Sequence, residues 1–166
     1  QTIIIFTSNL GLYEDTQVGR RPRFDYDTPF VDIQKAVRDG IRHEFSSILG
    51  RPELLGRFGG QDNIVVFDYL RDLEGVTMKF CSNIGERCRR LHGLELTVAP
   101  EVINYVVETV KATPEALVLG GRGLSSVLER VLTTPLGEWL FQQGTRKPET
   151  VVATLGPDDR VRLSTA

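Results

Sequence analysis

Cysteine, histidine, methionine and tryptophan are all scarce in this 166-residue sequence, which holds two Cys, two His, one Met and one Trp. The two thiols, Cys81 and Cys88, give no disulfide framework. Seven positions apart on a helix, they are separated by roughly 10 Å of rise, beyond disulfide reach. Buried free thiols in a reducing, cytoplasmic setting are expected. His43 falls off the apolar stripe of its segment, and His92 follows Cys88 by four positions. Neither stands near a nucleophile, and zinc-type pairs sit much closer in sequence, so no hydrolase triad and no metal site is expected. No apolar run approaches the roughly 20 residues of a membrane span. Neither sign of charge dominates: 20 basic against 22 acidic residues leave a net charge of −2, which gives no reason to expect a nucleic-acid or anionic-membrane partner. No Gly-Lys-Ser or Gly-Lys-Thr follows a glycine-rich turn, so a phosphate-cradling P-loop is missing. No serine sits in a G-x-S-x-G elbow.

What is present is an ordinary globular composition, 40% hydrophobic and 25% charged, with arginine supplying most of the basic residues. Thr2 to Ser8 is apolar and β-branched on consecutive residues, the pattern of a strand buried on both faces of a parallel sheet. Parallel neighbours and covering helices are expected with it, and little of the chain can supply them. The chain also starts at Gln1, directly on this run. The expectation from both is a piece of a longer protein. Leu10 to Pro29 is polar and reads as a long loop. Phe30, Ile33, Val37, Ile41, Phe45 and Ile48 recur at helical spacing and predict a helix over Phe30–Leu49. Gly50-Arg51-Pro52 ends it, and Pro52-Glu53-Leu54-Leu55 opens a short new turn.

Beyond the turn residues Gly59 to Asn63, a strand is predicted at Ile64–Phe67. A helix follows through Leu73, Val76, Phe80, Ile84, Cys88 and Leu91, then a strand at Leu94–Val98 and a helix opened by Pro100. Gly120-Gly121-Arg122-Gly123 precedes a further helix through Leu124, Val127, Leu128, Val131 and Leu132. Val151–Leu155 and Arg160–Leu163 read as a closing hairpin around Gly156-Pro157-Asp158-Asp159. The natural boundary lies near Gly60. Residues 1–60 hold a strand, a loop and a helix that cannot make a core alone. Residues 61–166 form an α+β unit of about four short strands and three helices.

Three segments stand out chemically. Phe6-Thr7-Ser8-Asn9-Leu10-Gly11 places polar residues at the carboxyl end of the predicted parallel strand, the edge where open α/β sheets bind ligands. Asn9 there can hydrogen-bond a phosphate oxygen or a water. Arg51-Pro52-Glu53-Leu54-Leu55-Gly56-Arg57 ends a rigid turn on an arginine that can be presented outward. Gly121-Arg122-Gly123 puts an arginine near a helix start, where anions are favoured and arginine grips phosphate bidentately. Each segment also has a bland reading, as a turn or a solvated arginine. Ile64 to Asp68 could be a strand ending on a magnesium-binding aspartate, but Tyr69 stands where a catalytic glutamate would be needed.

In this order the segments resemble one family, the second ATPase module of Clp-type AAA+ unfoldases and disaggregases (the ClpA, ClpB and ClpC group). Thr7 to Gly11 is similar to the sensor-1 segment. Arg51 to Arg57 is similar to the R-P-E-containing arginine-finger segment. Ile64 to Leu70 is similar to the strand opening the small subdomain. Gly121-Arg122 is similar to sensor 2, and Glu129, Pro135 and Leu136 fit the helix after it. Gly56, the run Phe58-Gly59-Gly60, Tyr69, Gly121 and Gly123 depart from the family pattern.

The resemblance implies the end of a AAA+ large subdomain (1–60) and an α+β small subdomain with a small mixed or antiparallel sheet (61–166). It implies an ATP-dependent protein-remodelling parent that uses ATP with Mg²⁺, forms a homo-oligomeric ring, expected to be hexameric, and acts on unfolded or aggregated protein. Asn9 would orient the attacking water. Arg122 would contact the phosphate of nucleotide in its own subunit, and Arg57 would reach into the neighbouring subunit's site. The isolated chain is expected to be inactive and to bind no cofactor tightly. Val18-Gly19-Arg20 lacks the apolar third residue of a peptidase-docking tripeptide, so no peptidase partner is expected. The reading from a different class is a non-catalytic assembly module with no nucleotide role.

Overall fold

The computed structural model describes residues 4–17, 19–144 and 149–165. They form two compact units that divide between Asp68 and Tyr69, beyond the boundary expected near Gly60. The architecture is mixed α/β, with a two-stranded and a three-stranded sheet.

In the first unit, the strand expected over Thr2–Ser8 does not form over its described residues, 4–8. Residues 4–9 carry no regular structure, and Ile4, Ile5 and Phe6 are 70%, 83% and 72% exposed. Thr2 and Ile3 lie outside the described residues. The physical reason is local: a strand persists through its ladder, and no strand pairs with this run among the described residues. The expected loop over Leu10–Pro29 instead contains a hairpin, β1 (Tyr13–Thr16) and β2 (Gly19–Pro22). Glu14 lies opposite Arg21 in the register, and the two are joined by an ion pair of 2.5 Å. Opposite charges across a ladder stabilise it modestly, and this charged pattern carries no apolar alternation from which strands are ordinarily read.

The chain then enters α1 (Phe30–His43), which buries Ile33 and Val37. The helix continues into a π turn, Glu44–Ile48, close to the expected end at Leu49. Helix α2 (Pro52–Arg57) starts with Pro52 in the first turn, where a missing N–H costs nothing. A 3₁₀ turn covers Gly60–Asn63. Ile64–Phe67, expected as a strand, has no strand partner either. Val65 and Phe67 are exposed. With Ile33 and Val37 the only buried residues among those described in this unit, its described core is small.

The second unit carries the hydrophobic core. Helix α3 (Leu73–His92) is capped by Asp72, whose carboxylate accepts the Gly75 N–H at 2.8 Å, and ends at Gly93 in the left-handed conformation. Its apolar stripe packs inward as expected as far as Cys88. Leu91 stays exposed. Strand β3 (Glu95–Val98) pairs in parallel with β4 (Thr150–Leu155), which pairs antiparallel with β5 (Val161–Thr165), giving the order β3-β4-β5. The β4–β5 hairpin turns at the expected glycine-proline-aspartate segment.

Helix α4 (Pro100–Lys111) contributes Val102, Val106, Val107 and Val110. A short α5 (Pro114–Val118), not foreseen from sequence, fills the approach to Gly120. The last helical stretch runs through α6 (Gly121–Leu128), a π turn (Glu129–Thr133) and α7 (Thr134–Gln143). The described strands and helices of this unit thus number fewer and more, respectively, than the four and three expected. One cluster of buried residues joins Leu73, Cys81, Val106, Val110, Leu124 and Leu132; a second joins Cys88, Leu94, Leu136 and Val151. Each fully buried aliphatic side chain contributes about 1.5–3 kcal/mol.

Candidate functional site

Asn9 sits in a turn whose carbonyl accepts the Leu12 N–H at 3.2 Å. Ser8 Oγ accepts the Leu10 N–H at 3.1 Å. The turn is docked on α1 at Gly11. A Cβ on Gly11 would stand 2.9 Å from the Val37 Cα, and one on Gly40 would stand 2.8 Å from the Gly11 Cα. Glycine on both sides lets the two backbones touch, and Gly11 also holds φ +81°. Arg23 ties the far side of the turn, its N–H donating to the Leu12 carbonyl at 3.0 Å. Asn9 is therefore exposed on a turn anchored against a helix.

Arg57 occupies the last turn of α2 and is exposed. Among the described residues its guanidinium has no hydrogen-bond or ion-pair partner. Arg51, at the other end of the same short helix, is matched by Glu53 at 3.6 Å. The free cation of this segment is thus the one at its carboxyl end, where the helix dipole favours it. The neighbouring Phe58 fixes the frame. Its N–H donates to the Leu54 carbonyl at 3.2 Å, and its own carbonyl accepts from Asn63 Nδ2 at 2.9 Å. Its ring lies 5.3 Å from Phe6 and 5.9 Å from Phe45, centroid to centroid, at steep interplanar angles. Within this unit the structure brings the segment leading to Asn9 against the residue that follows Arg57. The three phenylalanines are far apart in sequence, and no local pattern announces their contact.

Arg122 lies in the first turn of α6, exposed, with no acidic residue in that turn. Its side chain likewise has no partner among the described residues. A cation at the positive end of a helix is unfavourable on its own, so this end is electrostatically suited to receive an anion. The flanking glycines differ. A Cβ on Gly121 would meet nothing within 4 Å, whereas one on Gly123 would overlap the Ala116 carbonyl oxygen and stand 2.6 Å from the Ala116 Cα. Gly123 is what lets α6 close on α5 and so sets where Arg122 emerges. Sequence reading noted Gly123 as a departure from the family pattern and missed this packing role.

Asn9 and Arg57 belong to the first unit and Arg122 to the second. Cys81 and Cys88 are buried and free, as expected, and burial pushes both thiols above their ordinary value. Arg87 partly offsets this at Cys88. Among the described residues no cluster of His, Cys, Asp or Glu could hold a metal ion. No helix of the described residues is long and apolar enough to cross a membrane. An open groove of about 690 Å³ between α3 and β3, with Ser82, Glu86, Arg89 and Glu95 on its walls, contains none of the three residues singled out above. Compared with known families and curated proteins, the chain matches no family model and no curated sequence.

Proposed function

We propose that this chain is the sensing half of a cytoplasmic AAA+ protein-remodelling ATPase of Clp type, acting within a ring of identical, ATP-bound subunits on unfolded or aggregated protein. The observation that carries the reading is that Arg57, closing α2, and Arg122, opening α6, are exposed and have no side-chain partner among the described residues. Bound ATP with Mg²⁺ would supply the phosphate to be cleaved, with the phosphate-cradling and metal-holding groups lying outside this sequence. Arg122 fits a phosphate oxygen of nucleotide in its own subunit, because a helix N-terminus and a guanidinium both favour the anion. Arg57, exposed at the carboxyl end of α2, would reach a neighbouring subunit, where a planar cation would neutralise charge that develops on the transferring phosphoryl group. Asn9, exposed on its anchored turn, would hold a water by its side-chain amide. These groups lie on two units of the chain, and hydrolysis would be coupled to movement through them.

The test uses the full-length protein. Replacing Arg57 with Ala is expected to lower ATP turnover by about 10³-fold or more while nucleotide affinity and ring size are preserved. Unchanged turnover would remove the finger assignment. The second reading, a pure assembly module, is favoured by the exposed Ile4, Ile5, Phe6, Ile48 and Leu49. It requires the opposite result: turnover indifferent to Arg57 and oligomerisation lost when these apolar residues become polar.

A further inference from the structure

We propose that Phe58 is a positioning residue that links the Asn9 turn to Arg57 through the aromatic chain Phe6–Phe58–Phe45. The inference rests on the functional reading of Asn9 and Arg57 given above, and it adds a physical connection between them. The Phe58 ring makes tilted or edge contacts on two sides, at 60° to Phe6 and 67° to Phe45. Such geometry is the preferred one for aromatic pairs and is directional. Phe6 is three residues before Asn9, and Phe45 sits in the π turn that ends α1.

The Phe58 backbone has little freedom to yield. Its N–H is held by the last turn of α2 and its carbonyl by the Asn63 amide. A displacement of Phe6 as the Asn9 turn engages or releases its ligand would bear, through the ring contact, on Phe58, whose backbone is held at both ends. The link runs from there to the end of α2, where Arg57 precedes Phe58 directly. Phe45 packs on the other side of the ring. An aliphatic side chain would fill much of the same space without the angular preference, so packing and linkage are separable by substitution. The site is also open enough for a conservative variant, since Phe58 is 43% exposed and a tyrosine hydroxyl there can stay in water.

The test has two arms. In the chain itself, ¹⁵N-labelled, Asn9→Ala is expected to shift the Arg57 amide and Nε–H resonances. Phe58→Leu should reduce that shift roughly threefold or more, and Phe58→Tyr should restore it. Circular dichroism equal to wild type shows that the Leu variant is folded. Transmission undiminished in the folded Leu variant would overturn the proposal, and so would no transmission in the wild type. In the full-length ATPase, Phe58→Leu is expected to lower kcat by roughly threefold to thirtyfold with KM unchanged, and Phe58→Tyr to recover it. Loss of turnover in Arg57→Ala without any transmitted shift defeats the link alone. A transmitted shift with Arg57→Ala fully active defeats the functional reading, and with it the catalytic sense of the link.

Discussion

Gly123 offers the sharpest check on the packing that presents Arg122. In Gly123→Ala the new methyl meets backbone, not a flexible side-chain tip: the Ala116 oxygen is overlapped, with the Ala116 Cα at 2.6 Å and its carbonyl carbon at 2.7 Å. Neither atom can move without shifting α5 against α6. Overpacking of this kind costs about 1–3 kcal/mol, and the rigid obstacle places it at the upper end. Alanine recovers about 1 kcal/mol of helix propensity, leaving a net loss of about 2 kcal/mol. For a unit of this size that corresponds to a Tm lower by roughly 8–16 °C. Gly121→Ala, two residues away in open space, is the control. It should be neutral or stabilising by about 0.5 kcal/mol. Trp139 is the only tryptophan of the chain and packs on the Leu136 cluster, so its fluorescence in a urea titration reads the second unit selectively. A Gly123→Ala midpoint at or above wild type would refute the close approach of α5 and α6 as the reason for glycine there.

Other consequences follow from single contacts. Asp72→Ala removes the side-chain cap on the Gly75 N–H and should cost about 1 kcal/mol, seen as a lower urea midpoint by the same fluorescence. The thiols of Cys81 and Cys88 are raised by burial above a starting value of 9.0. Their contribution is therefore fully present below about pH 9 and is lost as pH rises through the raised folded values. The wild-type midpoint should fall more steeply above that pH than in the Cys81→Ala/Cys88→Ala variant, and parallel curves would contradict the shift. Amides of residues 4–8 should exchange with solvent within about tenfold of the unprotected rate, measured by hydrogen exchange. Strong protection there would mean that this run is paired with another copy.

The second unit was legible in the sequence wherever a stripe buries one face. The spacing of Leu73, Val76, Phe80 and Ile84 located α3, whose stripe meets a core within its own unit, and Pro100 marked the start of α4. The hairpin at Gly156 to Asp159 carried its turn chemistry openly. The failures have one cause in common. Ile4 to Phe6 and Ile64 to Phe67 have strand composition, and composition speaks of a side chain's preference, not of a partner for the backbone. Conversely β1 and β2 pair through Glu14 and Arg21, with no apolar alternation to betray them. Helix α5 is only five residues long, too short for a periodic signal. At the site, Arg57 and Arg122 were visible as residue types at turn and helix signals. Phe58 was not, because its role comes from contacts with Phe6 and Phe45 that only the folded chain brings together.

The π turn at Glu129–Thr133 has a consequence for how the last helices keep faith with the core. Pro135 has no N–H to give to the turn before it, and its ring crowds the carbonyl four residues back. The wider turn, which takes in one extra residue, accommodates both. One residue of α-helix corresponds to roughly 100° of rotation, so the extra residue sets the angular count back by about that much. Counted on an unbroken helix, Leu136, Trp139 and Leu140 would swing away from the line of Leu124, Val127 and Leu128. With the count reset they return to it, and one stripe runs on from the first buried cluster into the second. The π turn thus acts as a phase corrector. Two helical segments whose apolar patterns are out of step in sequence are brought into step in space, and straightening the turn at Glu129–Thr133 into regular α-helix without deleting a residue would turn the whole of α7 by about 100° to present the wrong side.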